Sequence, residues 1–275
     1  EMQQRTGQLL GRNPAGLWLG TFHGLAHRFL RLHAQAAGLR ADFQILDAGD
    51  QLRVLRRLLK EAGLDDKRTP PEVVRGYIEQ HKEATRRARS FTPELAREVE
   101  LHQVYLAYER YCTAQHLVDF TELMLRTYEL LRDDVALRDA WNRRFSAVLV
   151  DEFQDTNALQ YAWLKLMTLA SQQLFAVGDD DQSIYGWRGA QVENIQYLQR
   201  DYPSVQLIRL EQNYRSTGMI LAAANAVIAH NRQRLGKTLW TAGASGSPVA
   251  RYAAADARDE ARFVAAALKR AQTRG

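Results

Sequence analysis

The hydrophobic period of this chain changes near residue 146, and that change restricts the folds open to it. Before it, apolar residues recur at helical spacing, as in Leu25, Phe29 and Leu32, then Leu52, Leu55, Leu58 and Leu59, then Leu101, Tyr105 and Tyr108. After it, short apolar runs at Val148 to Val150, Leu174 to Val177 and Val205 to Leu210 alternate with helical patterns at Leu159 to Leu169 and Val192 to Gln199. Strands alternating with helices predict a parallel sheet. The run Leu17-Trp18-Leu19 suggests the same β-α rhythm before residue 20. The expected architecture is therefore α/β, with residues 1–20 and 146–212 in one domain and a mostly helical insertion over 21–145. A second α/β unit is expected over 213–275, with Ser216 capping its first helix and a strand at Val249 to Tyr252.

Local signals place the helix ends. Thr21 and Asp47 are N-caps, Gly63 ends a helix, and Pro71 opens another at a position where proline is tolerated. Pro93 is expected to start a long helix. Asp119-Phe120-Thr121-Glu122 has the spacing of a capping box, with aspartate in the hydroxyl position. The stretch Lys82 to Arg89 is strongly basic.

Composition excludes several classes. Hydrophobic residues make up 46% and charged residues 25%, the balance of a soluble globular protein. No stretch approaches a membrane span, so no membrane partner is expected. Cys112 is the only cysteine, which rules out a disulfide framework and a thiolate metal cluster within the chain and fits a cytoplasmic location. The net charge of +5 favours a polyanionic partner. The chain opens on Glu1-Met2-Gln3, which reads as the inside of a helix, and closes on a helical run with no strand after it, so a fragment is expected.

Chemistry concentrates in three stretches. In VLVDEFQDT, Val148 to Thr156, an apolar strand ends in Asp151-Glu152. Acids are common where a strand emerges into water, but the carboxyl edge of a parallel sheet is also where such folds bind ligands. In GDDDQSIYGWRGA, Gly178 to Ala190, another strand ends in Asp179, so two sets of acids converge on one sheet edge. An EF-hand reading fails, because its turn glycine falls on Ile184 and its last ligand on Ala190. Tyr185, Trp187 and Arg188 then combine aromatics with a cation, as a groove for single-stranded nucleic acid requires, although aromatics are more often core anchors. In LEQNYRST, Leu210 to Thr217, Tyr214-Arg215 lies at the expected domain boundary, where an arginine can reach phosphate across a cleft. By itself that octapeptide is also compatible with a surface turn.

Taken together, these stretches resemble, nearly letter for letter, motifs II, III and IV of superfamily 1 helicases of the UvrD/Rep/PcrA type, nearest to the UvrD branch. Thr21-Phe22-His23-Gly24 resembles motif Ib, and Leu117-Val118-Asp119-Phe120 resembles the small motif between Ib and II. Order and spacing also fit, over essentially the whole chain; Glu83 to Glu98 is the least family-like stretch.

The resemblance implies a RecA-like P-loop motor core using ATP and Mg²⁺. Asp151 would bind the metal, Glu152 would deprotonate the attacking water, and Gln182 would sense the γ-phosphate. Arg215 would be the arginine finger, and Tyr214 would stack on adenine. Thr21, Phe22, His23, Phe120, Tyr185, Trp187 and Arg188 would line the track for single-stranded DNA. The whole protein would be a 3′-to-5′ helicase of DNA repair, acting on single strands and single/double-strand junctions, with other repair proteins as further partners. One departure is plain: the sequence contains no G-x-x-x-x-G-K-[ST], so the phosphate-cradling loop is expected upstream, and the chain alone is expected to lack ATPase activity. Two rivals keep parts of this pattern: a non-enzymatic DNA-binding module, and a metal-dependent nuclease built on Asp151, Glu152 and Asp179. A nuclease leaves Gln182 and Tyr214-Arg215 without a role.

Overall fold

The computed structural model describes residues 2–11, 13–168, 174–231 and 234–273, the side chains of residues 2, 3, 15, 97 and 188 excepted. The chain divides into two compact units, Glu1–Val205 and Gln206–Gly275.

In the first unit, α1 (Met2–Leu10) is followed by α2 (Phe22–Leu32), β1 (Gln44–Leu46), α3 (Ala48–Glu61) and α4 (Pro71–Glu83). Then come α5 (Ala96–Gln115), β2 (Leu117–Asp119), α6 (Phe120–Asp133) and α7 (Val135–Arg144). The rhythm changes with β3 (Val148–Val150), α8 (Ala158–Thr168), β4 (Leu174–Ala176) and α9 (Asn194–Asp201). The caps explain several of these starts. Thr21 accepts from the Gly24 N–H, Asp47 from the Asp50 N–H and Asp119 from the Glu122 N–H. The long helix α5 begins at Ala96, three residues after Pro93, and its N-cap Leu95 makes no side-chain cap.

β3 and β4 pair in parallel, with Val150 opposite Ala176, as their apolar patterns suggested. Three expectations are corrected. Leu17 to Leu19 form no strand, because Trp18 is drawn into an aromatic cluster with Trp141 and Phe145 instead. Residues 205–210 and 249–252 form no strand either. Apolar runs become strands only where a neighbour completes the ladder, and Ile208 and Leu210 remain exposed. The helical region also contains a parallel pair, β1 with β2, whose three-residue strands are too short to announce themselves by period.

Two hydrophobic cores fill the first unit. One gathers Phe29, Leu30, Leu125 and Trp141 with Val150, Phe153, Leu159 and Leu164, so α2, α6 and α7 pack on the segment carrying β3 and α8. The other gathers Leu55, Leu59, Ile78, Tyr105 and Tyr108 on α3, α4 and α5. Between them lies a buried ionic cluster. Lys82 Nζ lies 2.6 Å from Asp119 Oδ2 and 2.9 Å from Glu122 Oε2. Arg87 and Arg126 each approach Glu122 at 2.7 Å, and Arg87 also pairs with Glu129 at 2.5 Å. The capping box is therefore only half formed: Asp119 caps α6, while Glu122 turns to three cations rather than back to the Asp119 N–H. Burial penalises the Glu122 carboxylate, but Lys82, Arg87 and Arg126 reverse the penalty and hold it well below the usual carboxylate range. Burial likewise opposes the Lys82 charge, and Asp119 with Glu122 raises its pKa nonetheless.

In the second unit, the N-cap position of α10 (Gly218–Ile228) falls on Thr217 rather than Ser216 and makes no side-chain cap bond, and α11 (Ala257–Gln272) follows. The N–H groups of Gly218 and Met219 donate to the carbonyls of Ala244 and Ser245, and a lone bridge links Gln212 with Trp240. Among the described residues no helix is long and apolar enough to cross a membrane.

Candidate functional site

The site begins where β3 runs out. Asp151 and Glu152 follow the strand as exposed carboxylates, and Glu152 takes a left-handed backbone conformation with φ of 51°. That conformation is uncommon for a residue with a side chain and costs on the order of 1 kcal/mol; such strain concentrates at functional sites. It turns the chain at once into the 3₁₀ turn Phe153–Asp155. Phe153 is thereby buried, and its N–H donates to the Val177 carbonyl, the residue after β4.

Gln154 joins the two acidic loops. Its side chain is almost wholly buried, its Nε2 donates to Glu152 Oε2 at 2.7 Å, and its Oε1 accepts from the Asp179 N–H at 2.9 Å. Gly178 makes the approach feasible, because a Cβ there would lie 2.8 Å from Gln154 Oε1 and 3.2 Å from the Phe153 nitrogen. Asp179 in turn accepts from Gln182 Nε2 at 2.8 Å and from the Asp181 N–H at 3.0 Å. A continuous set of hydrogen bonds thus runs from Glu152 through Gln154 and Asp179 to Gln182. Gln154 was not singled out from the sequence; the only signal was a polar residue held between Phe153 and Asp155 in a turn directly after a buried strand.

The loop carrying Gln182 continues to Tyr185 and Trp187, whose ring centroids are 6.4 Å apart; Trp187 is 75% exposed. The Arg188 side chain lies outside the described residues. From α2, His23 meets the half-exposed Phe120 ring edge-on at 6.1 Å, and burial lowers the His23 pKa. His23 and Tyr185 line one cavity of about 350 Å³, together with Glu83, Thr121, Asp155, Asn157 and Gln160. Phe22 is turned the other way, edge-on to Trp163 against the core, and the Thr21 hydroxyl is engaged as the α2 cap. Two cations of the basic stretch are engaged internally: Lys82 is buried against Asp119 and Glu122, and Arg87 is paired with Glu122 and Glu129.

In the second unit, the Asn213 side-chain oxygen accepts from the N–H groups of Arg215 and Ser216, a turn that sets Tyr214 and Arg215 on the outside. The Tyr214 hydroxyl donates to Gln212 Oε1 at 2.8 Å.

As metal donors, Asp151, Glu152 and the Asp179–Asp181 group are hard oxygen ligands, which suit Mg²⁺. The three aspartates can each bring one carboxylate oxygen within 4.8 Å of the others.

Parallel strands whose carboxyl ends bring paired acids together, under a helical cover, define an α/β motor core. The model of the UvrD/REP helicase N-terminal domain matches residues 1–203, and that of the UvrD-like helicase C-terminal domain matches residues 208–275. The chain belongs to the UvrD-like helicase family. It is 51% identical to DNA helicase II of Escherichia coli over 277 aligned residues and 47% identical to that of Haemophilus influenzae over 274. It is 38% identical to the ATP-dependent DNA helicase PcrA of Staphylococcus epidermidis. These alignments cover 98–100% of this chain and 38% of each relative's length.

Proposed function

We propose that this chain carries the acidic side of the ATP site, and part of the single-strand track, of a 3′-to-5′ DNA helicase acting in repair. The observation that carries the reading is the Gln154 bridge, which ties the acid at Glu152 to the loop bearing Gln182, Tyr185 and Trp187. A motor must transmit the state of its phosphate to the strand it moves on, and this connection is direct enough to do so. The relatives named as DNA helicase II and PcrA support the same activity.

In this reading, Asp151 holds Mg²⁺, which would offset charge on the phosphates of ATP. Glu152 takes the proton of the attacking water, Gln182 reports the γ-phosphate, Arg215 neutralises charge developing in transfer, and Tyr214 stacks on adenine. His23, Phe120, Tyr185 and Trp187 contact single-stranded DNA near a junction with duplex, with Thr21 and Arg188 beside them. Residues 21–145 act as a helical domain inserted into the first lobe, and the second lobe opens by about residue 213. The setting is the cytoplasm, where other repair proteins are further partners.

Binding of an oligo-dT to the chain, followed by tryptophan fluorescence, tests the DNA half. Stacking on an aromatic contributes about 1–3 kcal/mol, so Trp187→Ala should weaken binding about tenfold while barely changing its salt dependence. A folded Trp187→Ala variant with unchanged affinity would remove the track. The chain alone should show no DNA-stimulated ATP turnover, because its sequence has no P-loop to position the phosphates.

A further inference from the structure

Two consecutive residues at the end of α4 touch two different walls of the aromatic region. Lys82 is buried against Asp119 and Glu122, and Asp119 Oδ2 also accepts from the Tyr108 hydroxyl at 2.8 Å. Through its other oxygen Asp119 caps α6, so the start of that helix at Phe120 is fixed by side chains of α4 and α5. Phe120 meets His23 edge-on, and this pair forms the first wall.

Glu83 reaches the second wall, the loop of Tyr185 and Trp187. Its Oε1 accepts from Asn157 Nδ2 at 3.0 Å, and its carboxylate packs on Gly189, where a Cβ would lie 2.5 Å from Oε2 and 3.3 Å from Cδ. Gly189 closes the turn Gly186–Arg188 with φ of 82°, so a side chain there would meet both backbone strain and the Glu83 carboxylate. The exit of the loop is tied to the same place. The Gln191 N–H donates to the Thr156 carbonyl at 3.0 Å, and Asn194 Nδ2 donates to that carbonyl at 2.8 Å. Asn157 is itself held by a reciprocal cap with Gln160 at the start of α8. His23, Glu83 and Tyr185 line one cavity, so the carboxylate borders both walls.

Glu83 does little for its own helix. A carboxylate in the last turn opposes the helix dipole, and burial pushes this one up to about 7. Its contribution lies in what it contacts. We propose that Glu83 is a positioning residue for strand binding: it holds the Gly189 end of the aromatic loop against the start of α8, while Lys82 fixes the same turn of α4 to the Phe120 wall. The inference rests on the single-strand reading above and adds to it the element that sets the spacing of the two walls. Glu83 acts through Gly189 and Asn157, so its loss should weaken strand binding and leave the groups assigned to ATP in place.

Binding of dT10 to the full-length protein by anisotropy, together with ATP turnover at increasing dT10, tests this. Glu83→Ala should weaken binding about fivefold, less than the roughly tenfold expected when the Trp187 ring itself is removed. The KM for the strand should rise by the same factor, with kcat at saturating strand within about twofold of wild type. Glu83→Gln, which keeps the acceptor for Asn157, should bind as wild type. Adding Glu83→Ala to Trp187→Ala should cost little more than Trp187→Ala alone, because two residues that act through one loop are not additive. Asn157→Asp keeps the α8 cap but faces Glu83 with a second carboxylate; it should match Glu83→Ala, and it serves if that variant does not fold. Wild-type affinity in folded Glu83→Ala, an equal loss in Glu83→Gln, or additive losses in the double variant would overturn the positioning role. Unchanged affinity in folded Trp187→Ala would instead overturn the single-strand reading on which it depends.

Discussion

Gln154 donates to the Glu152 carboxylate at 2.7 Å and, through its other amide atom, accepts the Asp179 N–H at 2.9 Å. One buried side chain therefore fixes the spacing of two acid-bearing loops that are 27 residues apart in sequence, from Glu152 to Asp179. The connection has consequences for both stability and coupling.

Gln154→Ala removes both bonds and leaves the Asp179 N–H without its acceptor. We expect a loss of about 2–3 kcal/mol in urea unfolding, typical of an orphaned buried polar group combined with a small cavity. In the full-length protein the variant should also lose much of the stimulation of ATP turnover by DNA. Full stimulation in a folded variant would show that the two loops communicate by another route.

The buried ionic cluster makes a second prediction. Lys82→Met leaves the buried Asp119 carboxylate without a cation and takes one of three cations from Glu122, and breaking a buried pair on one side typically costs about 3–5 kcal/mol. Adding Asp119→Asn, which can still cap α6, should recover part of the loss. A single variant that melts with wild type would mean that water reaches the cluster. The Glu122 pKa is depressed, so its contribution is present above the ordinary glutamate range and disappears as acid protonates it.

Glu83 behaves in the opposite sense. Its folded pKa of about 7 lies above the ordinary glutamate value, so the folded state holds the extra proton between the two. Stability is then lost as pH rises through about 7. Glu83→Gln keeps an acceptor for Asn157 and removes the charge. It should stabilise the fold at pH 8 by on the order of 1 kcal/mol after allowance for partial exposure, read as a higher melting temperature, and change little at pH 5. A gain at pH 5 and none at pH 8 would reverse the assignment.

Much of the fold was legible because its signals are local. Thr21, Asp47 and Asp119 each cap the helix that follows within three residues, and the runs at 148–150 and 174–176 are apolar enough to pair. Leu207 and Ile208 carry the same apolar signal yet form no strand, because a ladder needs a neighbour that no local pattern supplies. The acids of the site were legible for a similar reason, standing at strand ends. Gln154, Glu83 and the partners of Lys82 were not. Lys82 meets Asp119 across 37 residues and Glu83 meets Asn157 across 74, and nothing in either neighbourhood signals the other. The sequence likewise did not distinguish Phe22, turned to the core, from His23 beside it, which reaches the cavity.

The central proposal is that Glu152 is the base in ATP hydrolysis and that Arg215 neutralises charge in transfer. Steady-state ATP turnover of the full-length protein with saturating single-stranded DNA tests it most directly, alongside equilibrium binding of a fluorescent nucleotide. Glu152→Gln preserves shape and removes the base, and Arg215→Ala removes a charge held for the transition state. We expect Glu152→Gln to abolish turnover with nucleotide affinity nearly unchanged, and Arg215→Ala to slow turnover on the order of a thousandfold. Near-wild-type turnover in a folded Glu152→Gln protein would contradict the account.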